Sequence, residues 1–186
     1  GIAFRPHLKT AKSEDVARLC KARFGARATV STLREAEIFG PLGLTDLLYG
    51  VAITPDKLPR VARLRQQGID LKLVTDDPET ARAIARFGSA QAMEIPVLIE
   101  LDLDGHRGGV APGDADRLLA IGQALAGPGA RLAGVMAHAG GSYGLNQTAA
   151  IKLAAADEAE AAAATAACLR DAGLACDIVS VGSTPT

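Results

Sequence analysis

The sequence has no tryptophan, and aromatic residues make up only 3% of it. That leaves little with which to stack successive bases, so a nucleic-acid platform is not expected. Charge of one sign is also lacking. Twenty Lys and Arg stand against 21 Asp and Glu, for a net charge of -1. Such a balance gives no electrostatic pull towards nucleic acid or an anionic membrane. No apolar run reaches the roughly 20 residues that a membrane span requires. The first residues, Gly1 to Pro6, lack the layout of a signal peptide. The three cysteines, Cys20, Cys168 and Cys176, form no CxxC pair and suggest no disulfide framework. A reducing cytoplasm is the expected location.

What remains is a chain of 186 residues with 48% hydrophobic content, enough for one domain with a buried core. Short apolar runs alternate with amphipathic stretches. Strands are expected over 2–9, 28–31, 46–51, 70–75, 96–102, 132–138 and 177–181. Helices are expected over 13–24 (capped by Ser13), 33–39, 58–67, 78–87 and 114–125, then through the Ala-rich stretch to about Leu169. Runs such as Leu71-Lys72-Leu73-Val74 and Val97-Leu98-Ile99 suit a parallel sheet covered by helices. The expected class is α/β. The fold could be an open doubly wound sheet or a TIM-type (β/α)8 barrel, and the absence of a GxGxxG after the first strand lowers the dinucleotide-sheet reading. With about seven strands the barrel is incomplete in this chain. Residues 1–186 are therefore expected to be a fragment of a barrel domain.

The active site of such a barrel lies at the carboxyl ends of its strands. Lys9-Thr10, Ser31-Thr32, Thr75-Asp76, Asp102 to Gly108, His138 to Gly144 and Gly182-Ser183-Thr184 all fall there. Arg5, His7 and Lys9 alternate and would share one strand face. A lysine directed among apolar walls tends to lose its proton, and a neutral amine is what a Schiff base needs. A surface lysine is the plainer reading. Gly182, Ser183 and Thr184 could offer backbone N–H groups and hydroxyls to a phosphate, or form an ordinary turn. Arg107, after the turn at Asp104-Gly105-His106, could hold a carboxylate or phenolate, or pair with Asp102 or Asp104. His138 could pack on a flat ring and Tyr143 could hydrogen-bond to it. Ordinary core packing would explain both.

Several segments, taken together, resemble one family. Arg5-Pro6-His7-Leu8-Lys9-Thr10-Ala11-Lys12 is similar to the RPHxKTxK signature of the D-threonine aldolase, D-serine dehydratase and D-threo-3-hydroxyaspartate dehydratase group, relatives of alanine racemase. Val30 to Glu37, Asp102 to Val110, His138 to Gly144 and Val179 to Thr186 also resemble it, in family order. The resemblance implies a pyridoxal phosphate-dependent lyase acting on a D-3-hydroxy amino acid. Lys9 would carry the cofactor as a Schiff base, and Gly182, Ser183 and Thr184 would hold its phosphate. Arg107 and Tyr143 would contact ring or substrate, and His138 would lie at the ring as a catalytic group. It also implies a C-terminal β-domain, missing from this chain, with ligands for a divalent metal (Zn or Mn), and a homodimer when intact. Aldolases of the group usually carry histidine where this sequence has Ala11, which favours a dehydratase. An aldolase, a racemase and a non-catalytic pyridoxal phosphate carrier are the alternatives.

Overall fold

The computed structural model describes residues 2–105 and 108–186. They fall into two compact units, one ending at Val74 and the other beginning at Thr75.

The first unit runs α1 (Glu14–Phe24), β1 (Arg27–Val30), α2 (Leu33–Phe39), β2 (Asp46–Ala52), α3 (Leu58–Gln66) and all but the last residue of β3 (Asp70–Thr75). Strands β1 and β2 pair in parallel from Arg27–Asp46 to Val30–Tyr49, and β2 pairs in parallel with β3 from Asp46–Asp70. Consecutive residues such as Leu47, Leu48 and Tyr49 are all buried. This is why the strands read as continuous apolar runs rather than alternating ones. Helix α2 starts at Thr32, whose Oγ1 accepts the Glu35 N–H at 3.1 Å. Glu35 returns its Oε2 to the Ser31 N–H at 2.9 Å, a variant of the capping box. Ser13 occupies the N-cap of α1 as expected, but its hydroxyl makes no capping bond. Glu14 and Asp15 in the first turn, with Lys21 and Arg23 in the last, complement the helix dipole instead.

The strand expected over 2–9 does not form. His7 makes an isolated parallel bridge to Thr29, through Thr29 N–H to Pro6 O and Leu8 N–H to Thr29 O. Pro6 has no N–H to give a ladder, so pairing cannot extend backwards through it. Beyond Leu8 the chain turns: the Lys12 N–H returns to the Leu8 carbonyl at 3.0 Å, and Lys12 takes a φ of 45°. Arg5 consequently lies at the opening ends of β1 and β2. Its guanidinium donates to the Asp46 carbonyl at 2.7 Å and to Asp46 Oδ1 at 2.8 Å. Buried Lys72 joins the same cluster, 2.7 Å from Asp46 and 2.6 Å from Asp70.

The second unit runs α4 (Pro78–Ala90), β4 (Ile95–Leu101), α5 (Ala115–Leu125), β5 (Ala130–Ala137), α6 (Thr148–Asp171) and β6 (Ile178–Ser180). A short 3-10 segment, Gly140–Gly144, follows β5. Strand β4 is buried along its whole length and pairs in parallel with β5 from Ile95–Ala130 to Leu101–Ala137. Strand β5 pairs in parallel with β6 from Gly134–Ile178 to Met136–Ser180. Asp77 caps α4 by accepting the Thr80 N–H at 2.7 Å and the Thr80 hydroxyl at 2.8 Å. Those bonds, the backbone one foremost, hold its carboxyl below the usual range. Asp114 caps α5 through the Arg117 N–H. Helix α6 buries Glu158, Ala162, Thr165, Ala166 and Leu169, one stripe at helical spacing. Among the described residues no helix is long and apolar enough to cross a membrane.

Candidate active site

In the first unit the candidate residues gather after the bridge at His7. Lys9 lies in the turn and is exposed, so the apolar walls anticipated around it are not supplied by the described residues. Its backbone N–H donates to His7 Nδ1 at 3.3 Å. That bond makes Nδ1 the acceptor, so the neutral ring carries its proton on Nε2, which faces Ser31 Oγ at 3.4 Å. Ser31 is fixed in turn by Glu35. A relay from the α2 cap thus reaches the backbone of Lys9, while its Nζ has no hydrogen bond or ion pair among the described residues.

In the second unit two loops meet at the carboxyl ends of the parallel strands β5 and β6. His138, half-buried, directly follows β5, and its Nδ1 lies 2.9 Å from the Gly182 carbonyl beyond β6. The Tyr143 ring tilts at 42° against the His138 ring, with centroids 5.8 Å apart. Tyr143 Oη donates to Thr184 Oγ1 at 3.3 Å. Ser142, buried, links Ala139 O at 2.7 Å to Ser183 Oγ at 2.8 Å. These bonds tie the residues after β5 to Gly182-Ser183-Thr184 at several points.

Sequence reasoning missed the group beneath both loops. Glu158, 3% exposed within α6, accepts the Ala139 N–H at 2.9 Å and the Gly182 N–H at 3.1 Å on Oε1. Its Oε2 accepts the Thr186 hydroxyl at 3.1 Å. Glu158 falls on the same stripe as Ala162, Thr165 and Leu169, but helical spacing alone does not single it out in so Ala-rich a stretch. A second missed contact is Asp104, whose Oδ2 accepts the Gly141 N–H at 2.5 Å. Asp102 Oδ1 accepts the Gly105 N–H at 2.9 Å. Arg107 and His106 lie outside the described residues.

The engaged and available donors can be separated. The Gly182 N–H goes to Glu158, and its carbonyl meets His138. The Ser183 N–H donates to Thr186 Oγ1 at 3.0 Å. The Thr184 N–H has only a long contact, 3.5 Å, to Tyr143 Oη. A side chain at Gly182 would meet nothing within 4 Å, so open space lies over this turn. Hydroxyls, one lightly engaged amide and open space suit a phosphate-sized anion.

Residues 2–186 match the family model described as alanine racemase, N-terminal domain. The chain belongs to that family. It is 48% identical to the D-threo-3-hydroxyaspartate dehydratase of Delftia sp. (strain HT23), over all of this chain and 49% of that protein. The solved structure of that enzyme superposes on all of this chain with a TM-score of 0.96. A D-serine dehydratase of Dictyostelium discoideum is 27% identical, again over the whole chain and 50% of its own length. The structure of a D-threonine aldolase from Filomicrobium marinum covers 97% of this chain at 29% identity, with a TM-score of 0.86. The chain spans about half the length of the relatives it matches. Parallel strands alternating with helices, in this family, bear out the expected α/β barrel class.

Proposed function

We propose that the whole protein is a pyridoxal phosphate-dependent lyase that removes the 3-hydroxyl from a D-3-hydroxy amino acid, of the D-threo-3-hydroxyaspartate type. The observation that carries this is the 48% identity to the Delftia dehydratase along the entire chain. Support comes from the exposed primary amine of Lys9 and from the hydroxyl-rich turn at Ser183 and Thr184. By the family resemblance the amine would take the aldehyde of the cofactor and the turn its phosphate.

In this reading Lys9 Nζ would hold the cofactor and, once released, would take the substrate α-proton. Thr184 and Ser183 hold the phosphate, with Gly182 leaving room above the turn. His138 would lie beside the cofactor ring, oriented by its tilted contact with Tyr143. Arg107 is assigned by resemblance to the cofactor ring or substrate. Pyridoxal phosphate, when bound, supplies an electron sink for the charge left at the α-carbon. No group of three metal-ligating side chains occurs among the described residues, so the divalent metal is assigned no ligand here. Cytoplasmic location and a homodimer belong to the same reading. The Ala11 position favours a dehydratase over an aldolase.

The test is the absorbance of the full-length protein, wild type against Lys9→Ala. A band near about 420 nm, present in wild type and lost in the variant, is expected of a protonated Schiff base. A wild type that stays colourless with added pyridoxal phosphate overturns the reading. Release of ammonia from D-threo-3-hydroxyaspartate then marks the dehydratase. Release of an aldehyde product marks the aldolase, D/L exchange the racemase, and a coloured but inert protein the carrier.

A further inference from the structure

Glu158 stands out as a buried ionisable group that the proposed chemistry does not use. It is carried in the middle of α6, the helix connecting β5 to β6. A carboxylate is costly to bury unless its lone pairs are satisfied. Here three donors from both connected loops satisfy it: the Ala139 N–H, the Gly182 N–H and the Thr186 hydroxyl. Each donor adjoins a candidate residue. Ala139 follows His138, Gly182 precedes Ser183, and Thr186 accepts the Ser183 N–H. One side chain therefore holds the backbone of both loops.

The helix scaffold alone does not require this. The neighbouring buried positions Ala162, Thr165, Ala166 and Leu169 are apolar or bond their own helix, as Thr165 does to Ala161. Only Glu158 on this stripe reaches out of the helix to the loops. The bond from Ser142 Oγ to Ser183 Oγ adds a lateral tie between the same loops. Glu158 engages the Gly182 amide and Thr186 the Ser183 amide, which leaves the Thr184 N–H, 3.5 Å from Tyr143 Oη, as the lightly engaged amide of the turn.

We infer that Glu158 is the positioning residue of the phosphate turn: it presets Ser183 and Thr184 for the cofactor's phosphate without touching the cofactor. This rests on the proposed cofactor reading. The consequence is selective. Loss of Glu158 weakens binding of pyridoxal phosphate far more than binding of pyridoxal, which has the same aldehyde for Lys9 and no phosphate.

The test titrates full-length apo-protein with each compound, following the Schiff-base band, in wild type, Glu158→Ala, Glu158→Gln and Ser142→Ala. Wild type should prefer pyridoxal phosphate strongly. Glu158→Ala should lower that preference by roughly tenfold or more, because two loop amides lose their acceptor. Glu158→Gln keeps one oxygen for both amides and should recover most of it. Ser142→Ala, which leaves the buried carboxylate in place, should lower the preference by about threefold and serves if Glu158→Ala does not fold. Equal weakening of both compounds, or an unchanged preference, in folded Glu158→Ala or Ser142→Ala overturns the inference and leaves the cofactor reading standing. A wild type that binds neither compound overturns both.

Discussion

The Nδ1 of His138 and the carbonyl oxygen of Gly182 lie 2.9 Å apart. A carbonyl only accepts, so Nδ1 carries the proton and, in the neutral ring, Nε2 is the free acceptor. The bond holds the ring at Nδ1, and the Tyr143 ring tilts against it. His138→Ala removes the bond and the ring together. It should weaken pyridoxal phosphate binding by about tenfold, as expected from one aromatic contact and one hydrogen bond. His138→Asn restores a donor near the Nδ1 position and should recover part of the loss. Cofactor titration by absorbance decides: wild-type affinity in His138→Ala would mean that the ring neither holds the turn nor meets the cofactor.

Lys9→Arg separates charge from chemistry. A guanidinium is never deprotonated in proteins and cannot serve as the Schiff-base amine. The Lys9 side chain is exposed and contributes little to packing. The variant should therefore melt within about a degree of wild type, as surface substitutions usually do. It should lack the cofactor band and lose activity by about a thousandfold or more. Retained activity would assign the Schiff base to another lysine.

Much of the scaffold was legible because its signals are local. Helix α2 and strand β3 occupy the expected spans, Leu33–Phe39 and Asp70–Thr75. Thr32 and Glu35 cap the one, and a continuous apolar run builds the other. The segment over 2–9 failed because alternation of side chains says nothing about partners. Pro6 interrupts the ladder, and the turn at Lys12 ends it. The strand-end rule placed His138, Tyr143, Ser183 and Thr184 in one cluster, which the structure brings together. It could not find Glu158, which reaches that cluster from the middle of a helix. An Ala-rich sequence hid it as one acid among Asp157, Glu158 and Glu160.

Acid should weaken the first unit. Burial raises Asp46, but the bond from Lys72 and then the charge of Arg5 outweigh it, and its carboxyl sits below the usual range. Asp70 is lowered in the same way, with Lys72 and Arg65 outweighing its burial. A folded-state value below the unfolded value of about 3.9 means that the unfolded chain takes up protons first. Their stabilisation is thus complete above the unfolded value and is lost as pH falls through the lower folded values. Melting temperature should drop between about pH 5 and pH 3, and less steeply in Asp46→Asn. Lys72→Met should cost about 1–3 kcal/mol at neutral pH, a figure reduced from that of a fully buried pair because Asp70 is 55% exposed. Parallel acid profiles in wild type and Asp46→Asn would show that other carboxylates control the transition.

Gly134 tests whether strand pairing, as well as side chains, places the phosphate turn. It faces Ile178 in the β5–β6 register. A methyl group added there would overlap the Ile178 backbone, whose carbonyl carbon would lie at 2.7 Å. Backbone cannot rotate aside as a side chain can, so β6 must move away from β5 or the pairing must break. Strand β6 ends at Ser180, and the turn at Gly182 follows directly. Gly134→Ala should destabilise the protein by about 1–3 kcal/mol, the usual range for overpacking. It should also lower the preference for pyridoxal phosphate over pyridoxal, since the displaced turn carries Ser183 and Thr184 with it. Thermal melting and cofactor titration read the two effects separately. If stability falls and the preference stays at its wild-type value, Glu158 and Ser142 hold the turn without help from β6. If both fall together, the register of the last strand is part of what shapes the site.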